Sequence, residues 1–160
     1  MRHSRKTEKG ATAVEMAFAL PVLLLLIFAV AEFGRYFFVQ HTLQFGTREG
    51  MRLALVGGIL TGGDGNPLSR EESIRRKIRE SVSAAVNPAD VAINFYYAMG
   101  SDYNNDDNWN EATNPGNPGQ YMRVTTSYTY RFITPLIGSF FPAGVNEIRT
   151  QCTYRNELFD

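Results

Sequence analysis

Between Met16 and Ala31 the chain carries sixteen consecutive residues without a charged or strongly polar side chain, and ten of them are Leu, Ile, Val or Phe. Such a run must either be buried on every side or sit in lipid, and this choice constrains the chain of 160 residues more than any other stretch does. Extended back to Ala11, it takes in only Thr12 and Glu15 as polar residues. As a helix, residues 11–31 span about 31 Å, close to the roughly 30 Å hydrocarbon core of a bilayer. The ten strongly apolar side chains contribute on the order of −3 to −6 kcal/mol to insertion. Arg2, Arg5, Lys6 and Lys9 precede the run with only Glu8 against them. Positive charge flanking an apolar helix stays on the cytoplasmic side, so the rest of the chain is expected beyond the membrane.

Two residues do not suit a plain anchor. Pro21 removes one backbone hydrogen bond inside the run and favours a kink or a locally melted turn. Glu15 places a carboxylate at the cytoplasmic end of the segment. It either sits at headgroup level at little cost or, deeper, needs a partner. A cut after Gly10 would create such a partner, because the new α-amino group of Ala11 would lie one helical turn from Glu15, or would meet the Glu15 of a neighbouring subunit.

The helical pattern continues past the membrane. Tyr36, Val39, Leu43, Gly46, Gly50 and Leu53 recur at spacings of three and four, which is one helical face. A helix reaching Val56 would be about 69 Å long, counted from Ala11. Gly46 and Gly50 on the apolar face permit close approach of another backbone, from the body of the same subunit or from a neighbour. Gly57-Gly58 ends the helix, and Gly62, Gly63, Gly65 and Pro67 mark a linker over 57–68. Ser69 with Glu72 forms a capping box, and Ile74, Ile78, Val82 and Val86 predict a second amphipathic helix ending before Asn87-Pro88. Its other face carries Arg70, Arg75, Arg76, Lys77 and Arg79 interleaved with glutamates, the pattern of a solvated face.

Period-two alternation then predicts three strands. One contains Val91 to Met99, one Met122 to Phe132 and one Ile148 to Tyr154, with Cys152 facing inward as a small filler. The connection holding Pro135, Leu136, Ile137, Phe140, Phe141 and Pro142 is apolar, and either folds back over the sheet or meets a partner. Two helices and an antiparallel sheet of about three strands make an α+β fold. The segments are 1–10 leader, 11–31 membrane helix, 32–56 extension, 57–68 linker and 69–160 exported domain.

Several function classes are excluded or narrowed. Lys plus Arg equals Asp plus Glu, so charge gives no reason to expect nucleic acid. His3 and His41 are far in sequence from any nucleophile or carboxylate pair, so no catalytic constellation and no metal cluster is expected. Asp102, Asn104, Asp106 and Asn108 alternate in the manner of calcium ligands, but Asp107 stands at the sixth position and Thr113 at the twelfth, where a calcium loop has glycine and a bidentate glutamate. A hydrated surface loop over 100–120 is the default, with Tyr103 and Trp109 as exposed aromatics offering surface contact.

The basic leader, Gly10, four neutral residues, Glu15 and an apolar helix together resemble the leader of type IV prepilins. The resemblance implies cleavage between Gly10 and Ala11 by a prepilin peptidase, and docking of subunits through Glu15. Ala13, Val14, Glu15, Ala17, Leu20-Pro21, then Glu32-Phe33-Gly34-Arg35, then Arg48-Glu49-Gly50-Met51-Arg52 make the chain similar to the TadE-like family, the minor pilins or pseudopilins of Tad pili. Phe132-Ile133-Thr134-Pro135-Leu136-Ile137 followed by a last strand also resembles that family. It implies a pilin-like subunit in a bacterial inner membrane, N-terminus cytoplasmic and body periplasmic, or extracellular in the assembled pilus. Its partners would be other pilins and the assembly machinery, in a hetero-oligomer. Two other readings remain at this point: an unprocessed single-span anchor presenting a binding domain, and a secreted module cleaved after Ala31, where Ala29-Val30-Ala31 has the small-x-small form of a signal peptidase site.

Overall fold

The computed structural model describes residues 5–158, with side chains from Gly10 onward. The basic side chains of the leader and His3 lie outside the described residues. The chain is α+β, with a long apolar helix, a second helix and a four-stranded antiparallel sheet. Helix α1 runs Arg5–Leu55 as one helix of 51 residues, and it continues through Pro21 without a melted turn. It stops where Gly57 takes a φ of +67° and Gly58 N–H donates to Leu53 O at 2.9 Å. That bond satisfies one of the carbonyls left over at a helix end, and glycine adopts the left-handed conformation without a Cβ penalty.

The chain divides into two compact units. The first comprises Met1–Tyr36 with Arg131–Val145, and the second Phe37–Tyr130 with Asn146–Asp160.

In the second unit, helix α2 covers Arg70–Val82 and the strands are β1 Ala92–Ala98, β2 Trp109–Ala112, β3 Tyr121–Arg131 and β4 Val145–Arg155. The spatial order is β2-β1-β3-β4. Strand β2 departs from the three strands expected, because four residues within the polar 100–120 stretch pair with β1, Trp109 opposite Ala98 and Ala112 opposite Phe95. It is too short to show a readable alternation. Ser69 closes the α2 capping box with Glu72. The helix ends at Val82 instead of reaching Val86. Ser81 and Ser83 hydroxyls bond back to Lys77 O and Glu80 O there, an alternative to the helical ladder that serines offer near helix ends.

The core of this unit forms where α1 and α2 meet the sheet. Val39, Leu43 and Ala54 of α1, Ile74, Ile78 and Val82 of α2, and Ile93, Phe95, Met122, Val124 and Ile148 of the sheet are all buried. Gly46 and Gly50 let α2 approach α1 closely. A Cβ on Gly46 would lie 2.6 Å from Val82 Cγ1, and one on Gly50 would lie 2.8 Å from Ile78 Cδ1. The space these glycines leave is therefore filled by α2 of the same chain. Between α1 and the sheet, the hydroxyls of Thr47, Thr126 and Thr150 form a buried triangle with edges of 2.7, 2.8 and 2.7 Å. Each hydroxyl is satisfied by the others, which is the condition for burying polar groups without a penalty.

Two arginines expected on a solvated face belong to the framework. Arg70 Nη2 donates to Ala54 O at 2.6 Å and to Asn156 Oδ1 at 2.8 Å, neutralising the carbonyl end of α1. Arg75 donates to Ile93 O at 2.6 Å and lies 5.0 Å over the Phe95 ring. Arg76 and Arg79 remain exposed. The arginine stems follow the edge of the apolar stripe, so their head groups reach backbone carbonyls that periodicity cannot reveal.

Candidate functional site

The functional region inferred from sequence is the N-terminal half of α1. From Gly10 to Ala31 every residue is exposed except Ala29, which is half-buried. Among the described residues the span is long and apolar enough to cross a membrane, with a mean hydropathy of 2.5 and none of the window buried within the chain. A helix of this composition left bare cannot be a soluble core element, which would be covered by its own fold. It suggests membrane anchoring. Glu15 projects from this bare surface, and among the described residues it has no hydrogen-bond or ion-pair partner. Gly10 sits in the helix with nothing within 4 Å of the position its Cβ would occupy. Nothing among the described residues therefore calls for glycine there, although glycine weakens a helix by about 1 kcal/mol relative to alanine.

Immediately above the bare segment, within the first unit, lies a site whose function the sequence did not disclose. Glu32 is 4 % exposed. Its carboxylate accepts from Ile133 N at 3.1 Å, from Thr134 N at 2.9 Å and from Thr134 Oγ1 at 2.9 Å. Arg35, one turn on, pairs with Glu32 at 3.2 Å and donates to Arg131 O at 2.6 Å. One carboxylate and one guanidinium thus bind the backbone of 131–134 to a single turn of α1. Tyr36 stacks on Phe132 with ring centroids 6.3 Å apart, and Phe132 stacks on Phe141 at 4.2 Å. Tyr36 is accordingly placed in this unit, whereas Val39, Leu43, Gly46 and Gly50 lie buried in the other and Leu53 is half-buried there. The only sequence signal for the clamp was an acid directly after the apolar run with an arginine three residues later.

The 100–112 stretch differs from its expected role. Trp109 is 8 % exposed and lies beneath the Arg123 guanidinium, 4.2 Å from it. Tyr103 is half-buried and stacks on Tyr121 at 4.3 Å. Neither is an exposed aromatic free for surface contact, because the loop folds over the outer face of β3. Asp106 forms an ion pair with Arg123 at 2.5 Å. Asp102 Oδ1 accepts from Asn104 N at 3.1 Å, and Asn108 donates to Asp102 O at 2.9 Å. These side chains close turns and hold Arg123, and among the described residues no group of three or more His, Cys, Asp or Glu gathers as a metal site.

Two further groups have shifted acidities. Cys152 is half-buried with its Sγ 2.9 Å from Met51 Sδ, and burial raises its thiol pKa against the opposing effect of Arg48. Such a thiol is a weak nucleophile. Tyr154 is pushed up to about 12, chiefly by burial, with Arg70 opposing.

Comparison with curated proteins and with solved structures returned no match. The family comparison returned one, and it falls on the helix. Residues 10–52, from the glycine ahead of the bare segment through the clamp to the glycines under α2, match the family model described as TadE-like protein, and it is through this helix that the chain is similar to the TadE-like family.

Proposed function

We propose that the chain is a pilin-like subunit of a Tad-type pilus, a minor pilin or pseudopilin, matured between Gly10 and Ala11. The single observation that carries this is the family match on residues 10–52, which covers the bare helix and Glu15 together. The TadE-like family is a structural, pilin-type family. In this reading the membrane holds the subunit before assembly, N-terminus in the cytoplasm and body in the periplasm. In the assembled state the same apolar surface packs against other pilins. Glu15 supports the second step, because a carboxylate on an apolar rod, with no partner among the described residues, is costly to bury until it meets a cation. The α-amino group released at Ala11 supplies that cation, at a helix N-terminus that itself favours an acid. Gly10 supports maturation ahead of these steps, since among the described residues nothing packs against it and a glycine at this position suits recognition by a peptidase.

Intact-mass measurement on protein from cells with an active prepilin peptidase tests the reading. The expected mature chain lacks residues 1–10. A chain still beginning at Met1 supports an unprocessed anchor, and one beginning at Glu32 supports a secreted module. Glu15→Ala is expected to abolish incorporation into pili while leaving the protein folded and in the membrane.

A further inference from the structure

Residues 132–146 form fifteen consecutive positions without a charged side chain, between Arg131 and Glu147. Within the first unit this segment makes a short helix, α3, at Pro135–Gly138, and a 3-10 turn at Pro142–Gly144. It has two faces. Phe132 and Ile137 are buried and Phe141 is half-buried. Ile133, Leu136 and Phe140 point outward at 70 %, 52 % and 80 % exposure. Three large apolar side chains are thus exposed within eight residues of one uncharged segment, the kind of surface that marks an interaction site.

The height of the segment on α1 identifies the occupant. Glu32 holds Ile133 and Thr134, and Tyr36 stacks on Phe132, so the segment is fastened to α1 at positions 32–36. The bare apolar run ends at Ala31. At 1.5 Å per residue the fastening lies within about 8 Å of the end of that run. A bilayer's headgroup layer is about 5–8 Å deep on each side, and interfacial elements sink their apolar face about 5–10 Å into the boundary between headgroups and acyl chains. Ala29 is half-buried whereas Ala17, Ala19 and Ala31 are exposed, so cover on α1 already begins below Glu32.

We propose that the 132–144 segment is a membrane-interface foot, which inserts Ile133, Leu136 and Phe140 among the lipids of the outer leaflet beside the helix. This rests on the membrane anchoring of α1 proposed above. The clamp then has a mechanical purpose. It couples the carboxylate at the membrane exit to a second point of lipid contact, so that the helix emerges at a fixed height instead of sliding through the bilayer. Extraction of the subunit into a pilus would require the foot to leave the lipid together with α1.

The test uses the full chain in vesicles of phosphatidylethanolamine and phosphatidylglycerol, with or without brominated acyl chains, which quench only tryptophans in contact with lipid. Phe18→Trp reports on the anchoring helix, and Phe140→Trp and Leu136→Trp report on the foot. The native protein, with Trp109 buried, supplies the background. The expected result is bromolipid quenching and a blue shift at all three introduced positions. Quenching of Phe18→Trp without quenching of either foot position overturns the proposal while leaving the anchor intact. Absence of quenching at Phe18→Trp defeats the anchoring itself. Foot tryptophans shielded from aqueous acrylamide but untouched by bromolipid assign the patch to a protein partner, which also overturns the proposal.

Discussion

The two halves of α1 have the same secondary structure and opposite surroundings. Residues 10–31 are bare apart from Ala29, while Val39, Leu43, Gly46, Thr47, Gly50 and Ala54 are buried against α2 and the sheet. Each half also carries one feature that illustrates the difference. Glu15 is an exposed acid with no partner among the described residues, and Glu32 is a buried acid with four protein groups bonded to it, Ile133 N, Thr134 N, Thr134 Oγ1 and Arg35. Gly10 has nothing within 4 Å of where its Cβ would stand, and Gly46 and Gly50 have α2 against them. Identical residue types on one helix thus serve the chain's own fold in one half. In the other they are left for something outside it.

The strongest way to break this comparison is to delete the same side-chain atoms from both halves. Leu43→Ala removes a side chain that is 0 % exposed and is expected to cost about 2–5 kcal/mol. Leu24→Ala, at an exposed position, is expected to leave unfolding of the body unchanged. Urea denaturation of the full chain in detergent measures both, and comparable losses at the two sites would dissolve the distinction.

A smaller effect is expected at the acids. Glu32→Gln keeps the shape but removes the charge that binds two backbone N–H groups and Arg35, at a cost of about 2 kcal/mol. Hydrogen exchange at Ile133 and Thr134 should accelerate, and Glu15→Gln should not change it. If both amides exchange as slowly in Glu32→Gln as in the native chain, the clamp does not hold the segment.

The glycines give the smallest and most diagnostic effect. Gly34→Ala is expected to raise helix stability by up to about 1 kcal/mol, because nothing obstructs a methyl group there. Gly46→Ala should lower it, since the methyl would meet Val82 at 2.6 Å. The pair is read by thermal unfolding, and opposite signs are the expected outcome.

Much of the architecture was legible in the sequence because it rests on repetition. The 3.6-residue period in α1, the Ser69–Glu72 capping box and the alternation from Met122 to Tyr130 each describe a surface that must be buried. What failed to show was what lies across from each surface. Trp109 in a run of asparagines and aspartates looks exposed, yet Arg123, fourteen positions further and on another strand, covers it. Strand β2 exists because β1 offers it an edge, and its own four residues carry no pattern. Arg70 and Arg75 sit in an apparently solvated stripe, but the carbonyls of Ala54 and Ile93 lie within reach only in the folded chain.

The sequence by itself determined the long helix, its apolar run with one acid at its start, and the α+β character of the rest. These follow from local composition and period, which depend on neighbours within a few residues. The tertiary structure alone decided that Gly46 and Gly50 admit α2, that Thr47 joins Thr126 and Thr150, and that Glu32 grips Ile133 and Thr134. Each of these is a pairing between residues distant in the chain, and for such pairs the partner is set by geometry that no local pattern encodes.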